Sequence, residues 1–358
     1  MAPVIAELKS DNRFRCLVCV TAQHRQMLDQ VLEVFNIEPD FDLNIMSHDQ
    51  SLTKTFSRIV TSVSGVIERT QPDIVLVHGD TITTSGSALA SLFHQVKVGH
   101  VEAGLRTGNL YSPWPEEANR RVVSALANFH FAPTKHASAN LVKEGVAAEN
   151  IVVTGNTVVD ALLEVVGQLQ NDEPTAVKLR RKFAYLDTSK KLILVTGHRR
   201  ENFGEGFNNI CGAIAHLAKV HADVQVVYPV HLNPNVQQPV NRVLGGLGNV
   251  FLIDPLDYLS FVFLMNRSFL ILTDSGGIQE EAPSLGKPIL LMRDTTERPE
   301  ALEAGTVRLV GTERIKIIRE TEILLSDAAE YERMSNAYNP YGDGNASKRI
   351  TEFLASRV

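Results

Sequence analysis

Cysteine is scarce, with three in 358 residues, and that excludes a disulfide scaffold, which needs paired cysteines in a short chain. Long apolar runs are missing too: none approaches the roughly 18 residues of a membrane-spanning helix. The opening MAPVIAELKS lacks the basic flank and the extended apolar core of a signal peptide. Basic excess is also absent. Lys and Arg number 35 against 41 Asp and Glu, a formal charge of −6, so no electrostatic footprint for nucleic acid or an anionic membrane exists. What remains is ordinary globular composition, 44% apolar and 21% charged with one Trp, and neither disorder nor collagen fits it. At about 150 residues per domain the length points to two domains. A cytoplasmic protein is expected.

Cys16 and Cys19 spell C-x-x-C, a pattern that can be a redox or zinc half-site. They fall in a β-rich run, where residues three apart face opposite sides. No nearby Cys or His pair completes a tetrahedral set, so a structural reading is preferred.

Short β-rich runs alternate with longer amphipathic segments along the chain. Strands are expected at 16–20, 42–45, 74–77, 98–101, 129–132 and 151–153, then at 192–195, 224–228, 250–253, 269–272, 289–292 and 307–310. Helices are expected at 1–8, 24–35, 52–69, 116–127, 207–219 and 346–357. Near-continuous apolar strands between helices argue parallel sheets covered on both faces. Two such series predict an α/β protein of two Rossmann-like, doubly wound domains facing a cleft. The domains are expected at 1–170, joined by the C-terminal helix 346–358, and at 171–340, with the join in the polar stretch 171–191.

In such a layout, ligands gather at the carboxyl ends of the strands, so the residues ending them are the candidates. Asp80, Glu102, His198, His231 and the run Asp274-Ser-Gly-Gly277 all follow strands. Ser275, Gly276 and Gly277 lead into a helix whose free N–H groups suit phosphate, and Glu281 lies on the same helix face. From there its carboxylate can accept hydrogen bonds from ribose hydroxyls. The bland alternative makes Ser275 an N-cap and Glu281 a solvated helix residue. No dinucleotide fingerprint or Walker motif occurs. Asp80 is either an N-cap or a base. Glu116, in the first turn of its helix, is favourable there for dipole reasons alone. Arg106 reads as a salt-bridge partner. Clustered carboxylates raise one another's pKa values, as acid/base work requires. His198-Arg-Arg offers a neutral-pH acid beside two guanidiniums, suited to a departing diphosphate. His24 and His48 belong to no constellation.

Six motifs resemble the non-hydrolysing UDP-N-acetylglucosamine 2-epimerases. They are Val77-His-Gly-Asp80, Gly99-His-Val-Glu-Ala-Gly-Leu-Arg106, Pro113-Trp-Pro-Glu-Glu-Ala-Asn-Arg120, Thr196-Gly-His-Arg-Arg-Glu201, Thr273-Asp-Ser-Gly-Gly-Ile-Gln-Glu-Glu-Ala-Pro283 and Arg293-Asp-Thr-Thr-Glu-Arg-Pro-Glu300. The resemblance covers the chain from Met1 to the C-terminal helix. It implies the GT-B architecture and interconversion of UDP-N-acetylglucosamine and UDP-N-acetylmannosamine for bacterial surface polysaccharides. The family's route is anti elimination of UDP to 2-acetamidoglucal and re-addition on the other face, with no metal or nicotinamide cofactor. Asp80, Glu102, Glu116 and His198 match the family's catalytic positions. Phe261, Ser275, Gly276, Gly277, Glu281 and Arg298 match its nucleotide contacts. Gln23, Gln26, Arg199 and His231 match a regulatory UDP-N-acetylglucosamine site, and a homodimer is implied. The sequence assigns no carboxylate to either face of the sugar.

Two departures from the family pattern stand out. Leu256 occupies a nucleotide-contact position that is often Gln. The family also begins with a strand and a G-T-R-P-E-A-I-K loop, whereas this chain opens at Met-Ala-Pro. The expectation is therefore an N-terminally shortened chain, weakly active, with a slot of about 9.6 Å in the first sheet, two strand spacings wide. Three other readings stay open: a GT-B glycosyltransferase, a hydrolysing epimerase, or a non-catalytic sugar-nucleotide sensor.

Overall fold

Runs such as Ile193-Leu-Val195 and Leu270-Ile-Leu272 are apolar at every position, which only a strand buried on both faces can use. The structure, a computed structural model, describes residues 1–22, 25–45 and 51–357. Gln23, His24 and His48 lie outside them. The chain divides into one unit made of Met1–Ala161 with Tyr341–Val358, and a second made of Leu162–Pro340. The division falls within the helix Thr157–Asn171. The polar stretch after it, expected to contain the join, carries the helix Glu173–Lys182, capped by Asp172.

The first unit's described strands are β1 (Cys19–Val20), β2 (Phe41–Asp42), β3 (Ile74–His78), β4 (Lys97–Val101), β5 (Phe129–Ala132) and β6 (Ile151–Val153). They pair in parallel as β3-β4-β5-β6, with β1-β2 as a separate sheet. Both β1 and β2 are shorter than the alternation suggested. Among the described residues β1 has no ladder partner on its β3 side, and a strand extends only as far as a neighbour meets its N–H and C=O groups. A side-chain contact ties these regions instead, Thr21 Oγ1 to Thr83 Oγ1 at 3.0 Å. Cys16 precedes the ladder and packs beside the apolar cluster of Val4, Phe131 and Ile350, while Cys19 is exposed. Neither cysteine has a disulfide partner.

The first unit closes with residues from the far end of the chain. Val4 and Leu8 of the helix Ala2–Ser10 pack with Ile350 and Leu354 of the helix Ala346–Ala355. Asp160 fixes the start of that last helix, accepting from the Ala346 and Ser347 N–H groups at 3.2 and 2.8 Å and from the Ser347 hydroxyl at 2.5 Å.

The second unit contains β7 (Lys191–Thr196), β8 (Val224–Pro229), β9 (Val250–Ile253), β10 (Leu270–Thr273), β11 (Ile289–Leu291) and β12 (Val307–Leu309). All pair in parallel in the order β12-β11-β10-β7-β8-β9, the doubly wound arrangement. Strand order reverses between β7 and β10, the switch point at which such sheets bind ligands. Phe207, Ile210 and Ile214 of the helix Glu205–Val220 cover one face of the sheet against Ile193, Val195, Val226 and Tyr228. No helix among the described residues is long and apolar enough to cross a membrane.

Candidate active site

The loops after β7 to β10 line an open cavity of about 310 Å³ in the second unit. Its wall includes His198, His231, Leu256, Phe261, Ser275, Gly277 and Glu281. Thr273 Oγ1 accepts the Ser275 N–H at 2.9 Å and so shapes the turn that leads to the short helix Ile278–Glu281. Arg298 lies across that turn. A Cβ at Gly276 would stand 2.7 Å from a guanidinium nitrogen of Arg298, and Arg298 Nε donates to Glu280 Oε1 at 2.5 Å. Glycine at 276 is thus the residue that lets a cation sit directly on the loop.

Glu281 is buried, which sets aside the solvated-helix reading. Burial, with the charge of Glu280 second, pushes its pKa up to about 7, while the Tyr258 hydroxyl, donating to Oε1 at 3.3 Å, works the other way. A buried carboxylate with few donors is primed to accept ligand hydroxyls. The His198 side chain is half exposed, its ring 5.7 Å from the His231 ring and stacked at 22°. Burial lowers the His198 pKa, Asp274 opposes that, and Arg199 and His231 add to it.

In the first unit the loops after β3 and β4 hold Asp80 and Glu102. Thr81, not Asp80, caps the helix Ile82–Phe93. The Asp80 carboxylate is therefore free for other work, and it accepts from Arg120 at 2.6 Å. Asn119 donates to the Asp80 carbonyl at 2.8 Å. Arg120 also reaches the fully buried Glu117 at 3.3 Å, which accepts the Thr107 and Gly108 N–H groups at 3.0 and 3.2 Å. Glu102 has φ +63°, a left-handed backbone that costs a side-chain-bearing residue energy and marks functional loops. Asn156 donates to its Oε2 at 2.9 Å. His100, buried and with its pKa pushed down to about 3 by desolvation, stays neutral and donates Nε2–H to the Gly79 carbonyl at 2.8 Å. Glu116 opens the helix Glu116–Leu126, and its Oε2 is buried without a hydrogen-bond partner among the described residues. An orphaned buried oxygen of this kind awaits a ligand or water.

Each unit thus gathers its own share of the expected residues. Arg106 is structural, bonded to Glu144 at 2.8 and 2.7 Å and to Ser124 at 2.8 Å. Of the expected regulatory residues, Gln23 lies outside the described residues, and Gln26 lies in the helix Arg25–Val34 with its side chain likewise outside them. Arg199 has a buried Nε with no hydrogen-bond partner among the described residues. Arg120, Asn156 and Tyr258 were not singled out in the sequence, and Asp274 only as a strand-ending residue without a role. Their partners lie tens of residues away, and for Arg120 only membership of a motif marks it. Among the described residues, no group of three or more His, Cys, Asp or Glu is arranged to hold a metal.

The profile of the UDP-N-acetylglucosamine 2-epimerase family matches residues 6–355. Proteins named UDP-N-acetylglucosamine 2-epimerase from Yersinia pestis and Escherichia coli strain K12 are each 58% identical to this chain over 354 residues, covering 99% of it and 94% of their own length. The crystal structure of UDP-GlcNAc 2-epimerase from Neisseria meningitidis bound to UDP-GlcNAc matches with a TM-score of 0.91 at 52% identity, covering 100% of this chain and 96% of that one. A Methanocaldococcus jannaschii UDP-GlcNAc 2-epimerase in complex with UDP-GlcNAc and UDP gives 0.79 at 31% identity, covering 99% and 95%. Identity at this level over nearly the whole length means more than a shared fold, and the chain belongs to the UDP-N-acetylglucosamine 2-epimerase family.

Proposed function

We propose that this protein interconverts UDP-N-acetylglucosamine and UDP-N-acetylmannosamine without hydrolysis. The C1–O bond to UDP breaks, a carboxylate takes the C2 proton from the face opposite the departing nucleotide, and a C1=C2 double bond forms, giving 2-acetamidoglucal. A proton then reaches C2 on the other face while the UDP oxygen re-bonds to C1. No carbonyl acidifies the C2 proton, so departure of the diphosphate leads, and cations that stabilise it carry much of the barrier. Ser275, Gly276 and Gly277 with Arg298 and His198 are assigned to the diphosphate, Glu281 to the ribose, and Phe261 with Leu256 to the apolar wall of the nucleotide site. Asp80, Glu102 and Glu116 are assigned to proton transfer.

The observation that carries this reading is the carboxylate set of the first unit: Asp80 released from capping, Glu102 on a strained backbone, and Glu116 with an unsatisfied buried oxygen. A nucleotide cavity alone would equally suit a glycosyltransferase or a sensor. Incubation with UDP-N-acetylglucosamine alone in deuterated water is the test. UDP-N-acetylmannosamine carrying deuterium at C2 is expected. Free N-acetylmannosamine with UDP would mean a hydrolysing enzyme, and binding without turnover would mean a sensor.

Two finer assignments go with it. The Arg199 Nε, without a hydrogen-bond partner among the described residues, and the exposed His231 support a second, regulatory nucleotide-sugar contact with Gln23 and Gln26, to be read as sigmoidal dependence of rate on substrate. A homodimer is the proposed assembly, to be checked by sedimentation.

A further inference from the structure

We infer that Asp274 is a positioning residue for His198: it holds the loop after β7 by its main-chain N–H groups and receives the imidazole's Nδ1–H, leaving Nε2 as the nitrogen offered to the nucleotide cavity. What His198 does to substrate rests on the epimerase reading; the placement of its proton does not.

β7 and β10 are neighbours at the switch point, with Thr196 opposite Thr273 and their hydroxyls 2.6 Å apart. The residue after β10 is Asp274, and its N–H continues the ladder to the Thr196 carbonyl at 3.1 Å. Its side chain is wholly buried. Into that carboxylate point the N–H of His198 at 2.9 Å, the N–H of Arg199 at 2.8 Å and Nδ2 of Asn202 at 3.2 Å. His198 Nδ1 stands 3.6 Å from Oδ1, and among the described residues it is the sole basic side chain in ion-pair reach of Asp274. The three neutral donors converge on Oδ2, and the His198 N–H also lies 3.2 Å from Oδ1; with two lone pairs on each oxygen, Oδ1 keeps an acceptor position for Nδ1–H.

The consequence follows from imidazole chemistry. A ring whose Nδ1–H faces a carboxylate is fixed in orientation and tautomer, and its Nε2 gains the second proton on charging. The groups facing the ring are Asp274 from the loop after β10, Arg199 on its own loop and His231 from the loop after β8, with Glu281 also lining the cavity. Arg199, His231 and burial oppose a proton on His198, and Asp274 favours it. Asp274 is also the residue immediately before Ser275-Gly-Gly277, so one carboxylate ties the proposed phosphate loop to the proposed acid.

Nitrogen-15 spectra of the full-length protein decide the matter, the His198 signals being identified by their loss in His198→Gln. Above the pH at which His198 titrates, its neutral ring in the wild type is expected to carry hydrogen on Nδ1. Hydrogen on Nε2 instead overturns the inference, with no variant needed. In Asp274→Asn the His198 pKa is expected to fall and kcat to drop about 10–100-fold, the scale for losing a residue that orients a functional histidine, with KM changed less. An unchanged His198 titration in a folded Asp274→Asn protein also overturns it, since a purely structural aspartate would leave that titration alone. Should the wild type not epimerise, the functional reading fails, while the spectra still decide the role of Asp274.

Discussion

At the scale of single residues, Glu281 makes the sharpest physical statement. Its folded pKa of about 7 lies above the ordinary 4.5 because burial disfavours the charge. A carboxyl raised in this way contributes stability that is full below pH 4.5 and is lost as pH rises through about 7. The shift corresponds to about 3 kcal/mol. Without ligand, the melting temperature should therefore fall across that window, and Glu281→Gln should flatten the dependence; a fall of the same size in the variant would assign it to other groups. If the ionised carboxylate holds the ribose, Glu281→Ala should cost UDP affinity about 1.5–3 kcal/mol by calorimetry, as for a hydrogen bond to a charged group. In the first unit, Asp80→Asn, Glu102→Gln and Glu116→Gln should each cut turnover by about 10²-fold or more, the contribution of a general acid or base. Deuterium uptake at C2 should fall in step. Near-normal turnover in any one removes that residue from the proton-transfer set.

At the scale of elements, the loop after β4 depends on one close approach. Gly104 has φ +90°, and a Cβ there would lie 2.2 Å from the Ala137 carbonyl oxygen. Gly104→Ala should therefore destabilise the first unit by about 3 kcal/mol, strain and overpacking together, read as a lower denaturation midpoint with unchanged slope. Much of this level was legible in the sequence. β5, β6 and β9 begin and end where the β-rich runs do, because flanking polar and turn residues mark a strand's ends even at a sheet edge. β1 and β2 were read too long, since their length depends on which neighbours complete the ladder, a fact of assembly rather than of residue type. The sites divide in the same way. Glu102, His198 and Ser275-Gly-Gly277 stand at strand ends and can be found by position. The role of Asp274, and Arg120 altogether, can be recognised only once partners from distant segments are in place, as when Arg120 meets Asp80 across 40 positions.

At the scale of the whole molecule, the first unit is discontinuous and is closed by apolar packing of Val4, Leu8, Ile350 and Leu354 together with polar contacts. Asp160 alone supplies the acceptors for Ala346 N–H, Ser347 N–H and the Ser347 hydroxyl. Asp160→Ala should cost about 1–2 kcal/mol, as for loss of a helix cap, and expose the segment 341–358 to proteases before the rest of the chain. Equal cleavage rates in wild type and variant would show that the apolar packing of Ile350 and Leu354 suffices. The same discontinuity has a bearing on synthesis. A ribosome delivers the chain from its N-terminus, and domains generally fold as they emerge. The second unit, contiguous from Leu162 to Pro340, has all its residues available while the first still waits for the final helix. The part begun first is therefore the part finished last, and until that helix emerges its surface against Val4, Leu8 and Phe131 stays uncovered.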